Sequence, residues 1–457
     1  MGKVRLAFMS ELHTSDEGTT ILARHPHMNT WQQAALSVYW LSTSALWCAV
    51  LIFILPNQAK QIGGAQFQGT TLGMIVLTGA LVSMLVAPLF GAISDRVRTP
   101  WGRRKPFLVI GTAGTVLSLL LMSMIPGVHA MLIPYIIAFM LLELFNNIAT
   151  APYCALIPDV VPVAQRGAAS GWMGLMSMLG TLIGAGAGLM INGHAGRMVN
   201  VYFALMALMV LGMLVTIVTV KEPKAPEVPP FDWQKFSQGL IAPFASRDFL
   251  WVFLTRMLVV LGTFTVQVFI KYYLNDVVAA GGAKHNPYQL FGHSLANNAD
   301  SASSFFLFAL LLGAVVSSLV AGTLSDRFGR KCMVYISGLL QSIVVLVFVL
   351  TGRFEIVLLM GLVFGLGYGA YQSVDWALAS DVLPSEDDYA KDMGVWHVAS
   401  TFPQVIAPFI AGGLLDHFQH IGHAHGLPTL GYTVIFMLAF VYFILGTVLV
   451  SKVKGAR

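Results

Sequence analysis

The sequence contains little charge. Only 10% of its 457 residues are Asp, Glu, Lys or Arg, whereas 56% are hydrophobic; a soluble domain carries about 25% charged residues. This composition excludes an ordinary soluble or disordered chain and predicts a protein surrounded by the lipid bilayer. The net charge of +5 is spread over short connections between apolar runs, so we expect no nucleic-acid partner.

Cysteine is scarce as well, and several catalytic signatures are missing. Cys48, Cys154 and Cys332 fall within or at the ends of apolar runs, which implies no disulfide framework. The sequence has no Gly-x-x-x-x-Gly-Lys-Ser/Thr loop for nucleotide phosphates, so ATP hydrolysis by this chain is unsupported. We also find no nucleophile–base pair and no metal triad. We therefore predict neither an enzyme nor a bound cofactor.

Four histidines lie close together before the last apolar run, in a segment that we predict as an outer loop. They are His417, His420, His423 and His425, with Asp416 beside them. Such spacing can bind zinc or nickel, but no cysteine or second nearby carboxylate completes a site. We interpret them as solvated loop residues and predict no metal site.

Twelve apolar runs dominate the chain, each close to the ~20 residues that a helix needs to cross a bilayer. We place them at 31–56, 68–93, 105–126, 131–157, 168–192, 199–220, 249–276, 302–324, 333–351, 355–380, 392–415 and 429–450. The predicted fold is an all-α membrane protein of twelve transmembrane helices.

Lysine and arginine are distributed unevenly between alternate connections. Lys60, Arg197, Lys284 and Arg353 stand alone on one side, and the other loop and terminal cations fall on the opposite side. Positive charge favours the cytoplasmic face. Both termini are therefore predicted to be cytoplasmic, in a multi-pass protein of the plasma or inner membrane.

The longest connection is rich in proline, as linkers between domains often are. The predicted domains are a cytoplasmic N-terminal segment (1–30), an N-terminal six-helix bundle (31–220), a cytoplasmic linker (221–247), a C-terminal six-helix bundle (248–451) and a cytoplasmic tail (452–457). We expect the protein to be a monomer.

The two halves repeat the same motifs. Residues 91–96 read Gly-Ala-Ile-Ser-Asp-Arg and residues 322–327 read Gly-Thr-Leu-Ser-Asp-Arg, each followed by a glycine and a basic cluster. A second pair, Ala-Leu-Ile-Pro-Asp-Val-Val-Pro at 155–162 and Ala-Leu-Ala-Ser-Asp-Val-Leu-Pro at 377–384, repeats at nearly the same interval. Two related six-helix halves are typical of a transporter whose site lies between them.

The charged turns allow two interpretations. A carboxylate there can meet a helix N-terminus or an arginine in one conformation and lose it in another, which would make a gate. Alternatively, the basic residues anchor the loops to an anionic leaflet. Two copies at matching places favour the gate. Its predicted members are Asp95, Arg96, Arg103, Arg104, Asp326, Arg327 and Arg330.

The Gly-x-x-x-Asp-Arg-x-x-Arg pattern of these turns resembles the loop signature of the major facilitator superfamily, and the resemblance extends over the whole chain. It implies alternating access by a rocker-switch movement. It also implies a central cavity lined mainly by helices 1, 4, 7 and 10, and we look for site residues on those helices.

Glu143 lies near the middle of the fourth predicted helix, where an ionisable group is costly and therefore a functional hypothesis. Asn146 and Asn147 follow three and four residues later, on the same helical face. A carboxyl group in such a place can bind and release a proton, and asparagine can hydrogen-bond either of its forms or a sugar hydroxyl. The alternative is a permanently protonated Glu143 that only joins helices.

This segment resembles helix 4 of the plant sucrose–proton symporters. The shared elements are an acidic residue followed by Asn-Asn, then a proline, Ala-Leu and Asp159; Arg-Arg-Lys-Pro-Phe at 103–107 and Trp47 with Pro56 are also similar. The resemblance implies that Glu143 is the proton-coupling carboxylate, although that family has Asp at the position. More distantly, the chain resembles the glycoside–pentoside–hexuronide cation symporters.

Two departures from these families bear on the substrate. The second helix has no carboxylate before its charged loop, which does not support a sodium site of the melibiose-carrier type. The fifth helix has no arginine after Ala168, so the sugar-clamping arginine of the plant proteins has no counterpart. The identity of the sugar is therefore left open.

Arg256 and Asp375 are a second pair of charges within predicted helices. Both lie roughly 10 Å above the inner boundary at ~1.5 Å per residue, on the seventh and tenth helices, so we expect them to pair. The pair can rearrange when substrate or proton binds, or it can be a fixed structural bridge. The sequence favours neither.

Aromatic and amide side chains on the cavity helices offer the flat faces and directional donors that a sugar needs. The candidates are Tyr39, Thr43, Trp47, Asn146, Asn147, Arg256, Gln267, Tyr371, Gln372, Asp375 and Trp376. Packing or interfacial anchoring is the alternative for the aromatic residues. Lys271, near the outer end of helix 7, is expected to extend toward the membrane interface.

Together these features predict a proton-coupled symporter for a sugar, a glucoside or disaccharide such as sucrose or maltose. The proton is the expected coupling ion. A proton-coupled antiporter that exports a drug or metabolite is the alternative within the same superfamily. A receptor or other non-transporting protein on this scaffold is disfavoured by the two intact gate motifs and by Glu143.

Overall fold

The structure is a computed structural model that describes residues 28–162, 165–220, 222, 242–279, 287–382 and 389–454. Most of the predicted N-terminal segment and linker, and the end of the tail, lie outside the described residues. The side chains of Asp95, Asp326 and Trp376 also lie outside them. The proposed domain limits at those places stay predictions.

Twelve long helices follow one another along the described part of the chain. They are α1 (Thr30–Ala49), α2 (Gln68–Arg96), α3 (Lys105–Met124), α4 (Leu132–Cys154), α5 (Arg166–Ala185), α6 (Met198–Thr219), α7 (Arg247–Tyr273), α8 (Ala299–Phe328), α9 (Arg330–Leu350), α10 (Phe354–Val382), α11 (Tyr389–Ala424) and α12 (Leu430–Leu449). Among the described residues, eleven helices are long and apolar enough to cross a membrane. Large apolar side chains are exposed along them, as helices surrounded by lipid require.

The first helix of each half continues through a π-helical turn. In α1 the turn is Val50–Ile54, followed by the helix Leu55–Gly63; in α7 it is Leu274–Val278. Such turns insert one residue into the helical ladder and are frequent at functional sites. Their occurrence at equivalent places agrees with the internal repeat.

A short hairpin is the exception to the helical architecture. β1 (Gln289–Leu290) and β2 (His293–Ser294) pair antiparallel in the connection between α7 and α8. Phe291 and Gly292 at its tip both have positive φ angles, 50° and 83°, as a tight two-residue hairpin turn requires.

The two halves are packed in the same way. In the first half α1 contacts α5 and α6, and α4 contacts α2 and α3; in the second half α7 contacts α11 and α12, and α10 contacts α8 and α9. The halves meet along two equivalent seams, α2 with α11 and α5 with α8. The predicted fold of two six-helix pseudo-repeats is thereby confirmed, while the cytoplasmic location of the termini stays a prediction.

We call one end of the molecule distal: it carries the α1–α2, α5–α6, α7–α8 and α11–α12 connections. The opposite end carries the two charged turns. If the termini are cytoplasmic, the distal end faces the outside of the cell.

The loop predicted for the four histidines is wrong for three of them. α11 continues to Ala424, so His417, His420 and His423 lie on its last turns and only His425 follows it. The first helix-terminating residue after the apolar run is Gly426, whose φ of 74° ends the segment. Among the described residues no cluster suited to a metal ion is found.

Candidate proton and substrate site

Glu143 occupies the midpoint of α4 and is buried between two helices. Only 9% of the residue is exposed. The side chain of Asn147, one turn further on, donates to the Glu143 carboxylate Oε2 at 3.1 Å and to its backbone oxygen at 2.9 Å. On the other side the Glu143 methylenes pack on Gly79 of α2, where an added β-carbon would lie 2.9 Å from Cγ. Of the two asparagines that the sequence places on the same helical face as Glu143, Asn147 is the one that bonds its carboxylate.

No cation of the described residues lies beside this carboxylate. Within the described part of the chain Glu143 forms no ion pair. Charging a carboxyl group in such a place is expensive when only one neutral amide compensates it. Glu143 therefore differs from the other buried carboxylates that the structure describes, Asp300, Asp375 and Asp416, each of which has a cation or several donors.

Asn146 turns toward α1 instead. The indole Nε1 of Trp47 donates to Asn146 Oδ1 at 3.1 Å. Because indole nitrogen is a donor only, this bond fixes the orientation of the amide. The Asn146 Nδ2 atom is then buried without a hydrogen-bond partner among the described residues. An unpaired buried donor beside a partly buried indole ring is suited to a ligand oxygen.

The rest of the predicted α1 stripe faces the interior of the first bundle. Tyr39 is fully buried, and its hydroxyl shares a 2.9 Å hydrogen bond with Thr112 of α3. The Thr43 hydroxyl donates to the backbone oxygen of Tyr39 at 3.0 Å. The structure thus brings Trp47 to the Glu143 cluster, whereas the hydroxyls of Tyr39 and Thr43 are already satisfied elsewhere.

Arg256 and Asp375 form the expected ion pair between α7 and α10. Both side chains are buried, and the ring of Tyr371 is buried beside them. Gln372 is exposed and donates to the hydroxyl of Tyr368 at 2.9 Å. These residues place hydrogen-bonding groups on the second half of the molecule.

Gln267 and Trp376 are the other two predicted positions on the second half. Gln267 is partly buried on α7. The Trp376 side chain lies outside the described residues. Their assignment to the substrate site stays a prediction.

The charged turn of the first half is braced by two acidic residues. Asp159 pairs with Arg103 at 2.5 Å and with Arg104 at 3.0 Å. Glu222, just beyond α6, accepts hydrogen bonds from the backbone N–H groups of residues 103, 104 and 105 at 2.7–2.9 Å. A carboxylate there satisfies the free N–H groups at the start of α3. No local spacing in the sequence connects Glu222 with that turn, so its role could not be predicted.

These contacts join elements of one bundle. Arg96 donates to the Ala92 oxygen of its own helix at 2.6 Å, and Arg104 also donates to Ser94. In the second half Arg327 is exposed and Arg330 is partly buried. Gating by the charged turns stays a prediction, since in this conformation the first turn is held by its own bundle.

The expectation that Lys271 extends to the membrane interface is wrong. Lys271 is only 5% exposed, and its Nζ lies 2.6 Å from Asp300 Oδ1. Burial of the ammonium is tolerated because a carboxylate from α8 compensates it. Asp300 precedes the apolar run of α8, and nothing in the local sequence indicates that it lies beside α7.

Comparisons with known proteins agree with this architecture. A family model described as MFS/sugar transport protein matches residues 65–291, and one described as Major Facilitator Superfamily matches residues 287–455. The solved structure of nucleoside transporter NupG superposes with a TM-score of 0.68 at 13% identity, covering 93% of this chain and 99% of that one. Peptide transporter POT in complex with sulfate gives 0.68 at 14%, covering 96% and 99%.

Similar curated proteins include sugar transporters. The general alpha-glucoside permease of Schizosaccharomyces pombe is 27% identical over 171 residues, 35% of this chain and 30% of the permease. Sucrose transport protein SUC3 of Arabidopsis thaliana is 26% identical over 173 residues, 32% of this chain and 29% of that protein. Each of these matches spans less than a third of the relative's length.

All the proteins named here are transporters or permeases, which confirms the expectation of a transporter rather than an enzyme. The two family matches together run from residue 65 to residue 455, and the twelve helices form the two matching bundles that this fold requires. The chain is an integral membrane protein that belongs to the major facilitator superfamily.

Proposed function

We propose that the protein is a proton-coupled symporter for a sugar, a glucoside or disaccharide such as sucrose or maltose. The observation that carries the proposal is the carboxylate of Glu143, which has no cation beside it among the described residues, three residues before the unpaired amide donor of Asn146. The first group is suited to a proton and the second to a hydroxyl oxygen. The names of the partial relatives, an alpha-glucoside permease and sucrose transport proteins, support a sugar as the substrate.

Proton coupling follows from the cost of charge in this position. A neutral Glu143 can move through a reorientation of the bundles at little electrostatic cost, whereas an ionised one needs water or a donor beside it. Asn147 can donate to the ionised form through its amide nitrogen. Symport results if the bundles reorient only when Glu143 is protonated and sugar is bound, or when both are absent.

The sugar site is proposed between the bundles. Trp47 supplies a flat apolar face and Asn146 a free donor on the first half. Arg256 and Asp375, with Tyr371 and exposed Gln372, supply charged and polar groups on the second half; Gln267 and Trp376 complete the proposed set. Tyr39 and Thr43, also on α1, are left out of the proposed site because their hydroxyls are already bonded within the first bundle.

The remaining features of the cycle are also proposals. The bundles move as a rocker switch, the charged turns contribute to closing the end opposite the distal one, both termini are cytoplasmic and the protein acts as a monomer. None of these requires a bound cofactor.

Replacement of Glu143 by Gln tests the coupling. Proteoliposomes with an imposed inward proton gradient are given radiolabelled sucrose or maltose. Wild type is expected to accumulate one of them, with accumulation abolished by an uncoupler. Glu143→Gln should lose accumulation but retain sugar counterflow, because a neutral amide imitates the protonated state.

The matched control is Glu355→Gln, which removes a carboxylate from a partly exposed ion pair with Arg353 and should accumulate sugar normally. Gradient-driven accumulation that survives in Glu143→Gln would contradict the coupling role. Absence of uptake of both sugars would remove the substrate claim, and sugar or drug efflux driven by the same gradient would favour the antiporter.

A second prediction separates the residues of α1 and α4. Asn146→Ala removes the free donor and should raise the KM for the transported sugar about 2- to 10-fold, as expected for one hydrogen bond of ~0.5–1.5 kcal/mol. Tyr39→Phe should leave KM unchanged because its hydroxyl already bonds Thr112. Initial rates of uptake as a function of sugar concentration measure both, and equal effects would argue against the division proposed here.

The Arg256–Asp375 pair makes a third prediction. Asp375→Asn leaves the guanidinium buried without its counter-charge, which costs ~3–5 kcal/mol in comparable cases. We expect a clear fall in the thermal unfolding temperature in detergent. Glu355→Gln, at the partly exposed pair, should change it little, since such pairs contribute ~0–1 kcal/mol.

Transport measurements on this variant, and on a double variant, distinguish a substrate-binding role of the Arg256–Asp375 pair from a structural role. Asp375→Asn is first shown to fold, and Arg256→Gln is then added to it. If the double variant regains stability but not sugar affinity, the pair acts in sugar binding. Recovery of both stability and affinity in the double variant would show a structural bridge.

A further inference from the structure

The two bundles are bound together at the distal end by carboxylates of the second half. Asp300 and Asp416 lie at the distal ends of α8 and α11, the two helices of the second bundle that form the seams. Both are buried, 5% and 8% exposed. Their partners on the first bundle are backbone and amide N–H groups.

Asp300 bridges the α5–α8 seam. Its Oδ1 accepts from Asn57 Nδ2 at 3.1 Å, and its Oδ2 accepts from the backbone N–H of Gly193 at 3.2 Å. Lys271 of its own bundle supplies the positive charge at 2.6 Å. Close packing supports the seam, since a β-carbon on Gly188 would lie 2.3 Å from the Asp300 backbone oxygen.

Asp416 bridges the α2–α11 seam. Its two carboxylate oxygens accept from the backbone N–H groups of Gly69 and Thr70, at 3.0 and 2.5 Å. These groups belong to the first turn of α2, where N–H groups lack helical partners and the helix dipole favours an anion. A carboxylate of the second bundle thus caps the N-terminus of α2 in the first bundle.

The backbones at this seam are too close for side chains. A β-carbon on Gly412 would lie 2.1 Å from the Gly69 oxygen. Gln68 also donates to Asp276, at the end of α7, at 2.9 Å. All of these contacts must separate if the cavity is to open at the distal end.

We propose that Asp300 and Asp416 form a two-point latch that holds the distal end closed and is broken in each transport cycle. Buried carboxylates are costly unless bonded, and on the first bundle these two find their donors only while the seams are shut. When the seams part, water must replace the donors. The latch depends on alternating access but not on which substrate or ion is carried.

Distances between spin labels test the latch directly. Labels are placed at Gln66 of the first bundle and Leu427 of the second, both exposed at the distal end. The native Cys48, Cys154 and Cys332 are replaced by alanine, and double electron–electron resonance is recorded without substrate. Wild type is expected to show mainly the short, closed distance.

Asp300→Asn and Asp416→Asn should each raise the ratio of open to closed molecules about tenfold or more, which corresponds to ~1.4 kcal/mol. Asn57→Ala removes a bond across the seam but keeps the Lys271–Asp300 pair, so it should act in the same direction and remain folded. Glu355→Gln is the control carboxylate and should change nothing. A second label pair within the first bundle, at Gln66 and Val128, should keep its distance throughout.

Glycine substitutions provide a test that leaves every carboxylate in place. Gly412→Ala should force the α2–α11 seam apart, whereas Gly413→Ala, next to it, has no neighbouring atom within 4 Å and should leave the distribution unchanged. Closed distances retained by both Asp variants and by Asn57→Ala would overturn the latch. So would equal effects of Gly412→Ala and Gly413→Ala. Neither outcome depends on sugar transport, so the latch and the proposed substrate can fail separately.

Discussion

The cost of burying charge in an apolar protein is the constraint on which this structure depends. Arg256 is matched by Asp375, Lys271 by Asp300, and Asp416 by two backbone N–H groups. In each case the charge and its partner lie on different helices, so the bond also joins those helices. Glu143 departs from this rule, with one neutral amide as its partner. This difference is why we propose Glu143 as the proton-coupling residue.

The internal repeat determines where the two bundles meet. Equivalent seams, α2 with α11 and α5 with α8, join two bundles that share the same main helix contacts. The second bundle places one carboxylate on each seam. The repeat is not symmetric in chemistry. The first bundle carries the uncompensated Glu143, and the second carries the buried ion pair of Arg256. The proposed substrate site between the halves would therefore present different groups on its two sides.

The sequence predicts the helices and their order because a membrane span is defined by a local run of apolar residues. Helical spacing also places Asn146 and Asn147 on the same face as Glu143, but it could not tell that Asn147 bonds Glu143 while Asn146 bonds Trp47. It could not predict that Asp300 compensates Lys271, or that Glu222 caps α3, because those contacts bring together distant parts of the chain. The length of α11 was underestimated for another reason: a helix can continue in polar residues after it leaves the membrane.

We propose above all that sugar and proton cross the membrane together and that Glu143 carries the proton. This proposal is tested most directly by recording external pH in a weakly buffered suspension of proteoliposomes while sucrose or maltose is added without any imposed gradient. We expect the external medium to become transiently alkaline with the wild type, as protons enter with the sugar, and to show no change with Glu143→Gln. Sugar entry with no change in pH would contradict it.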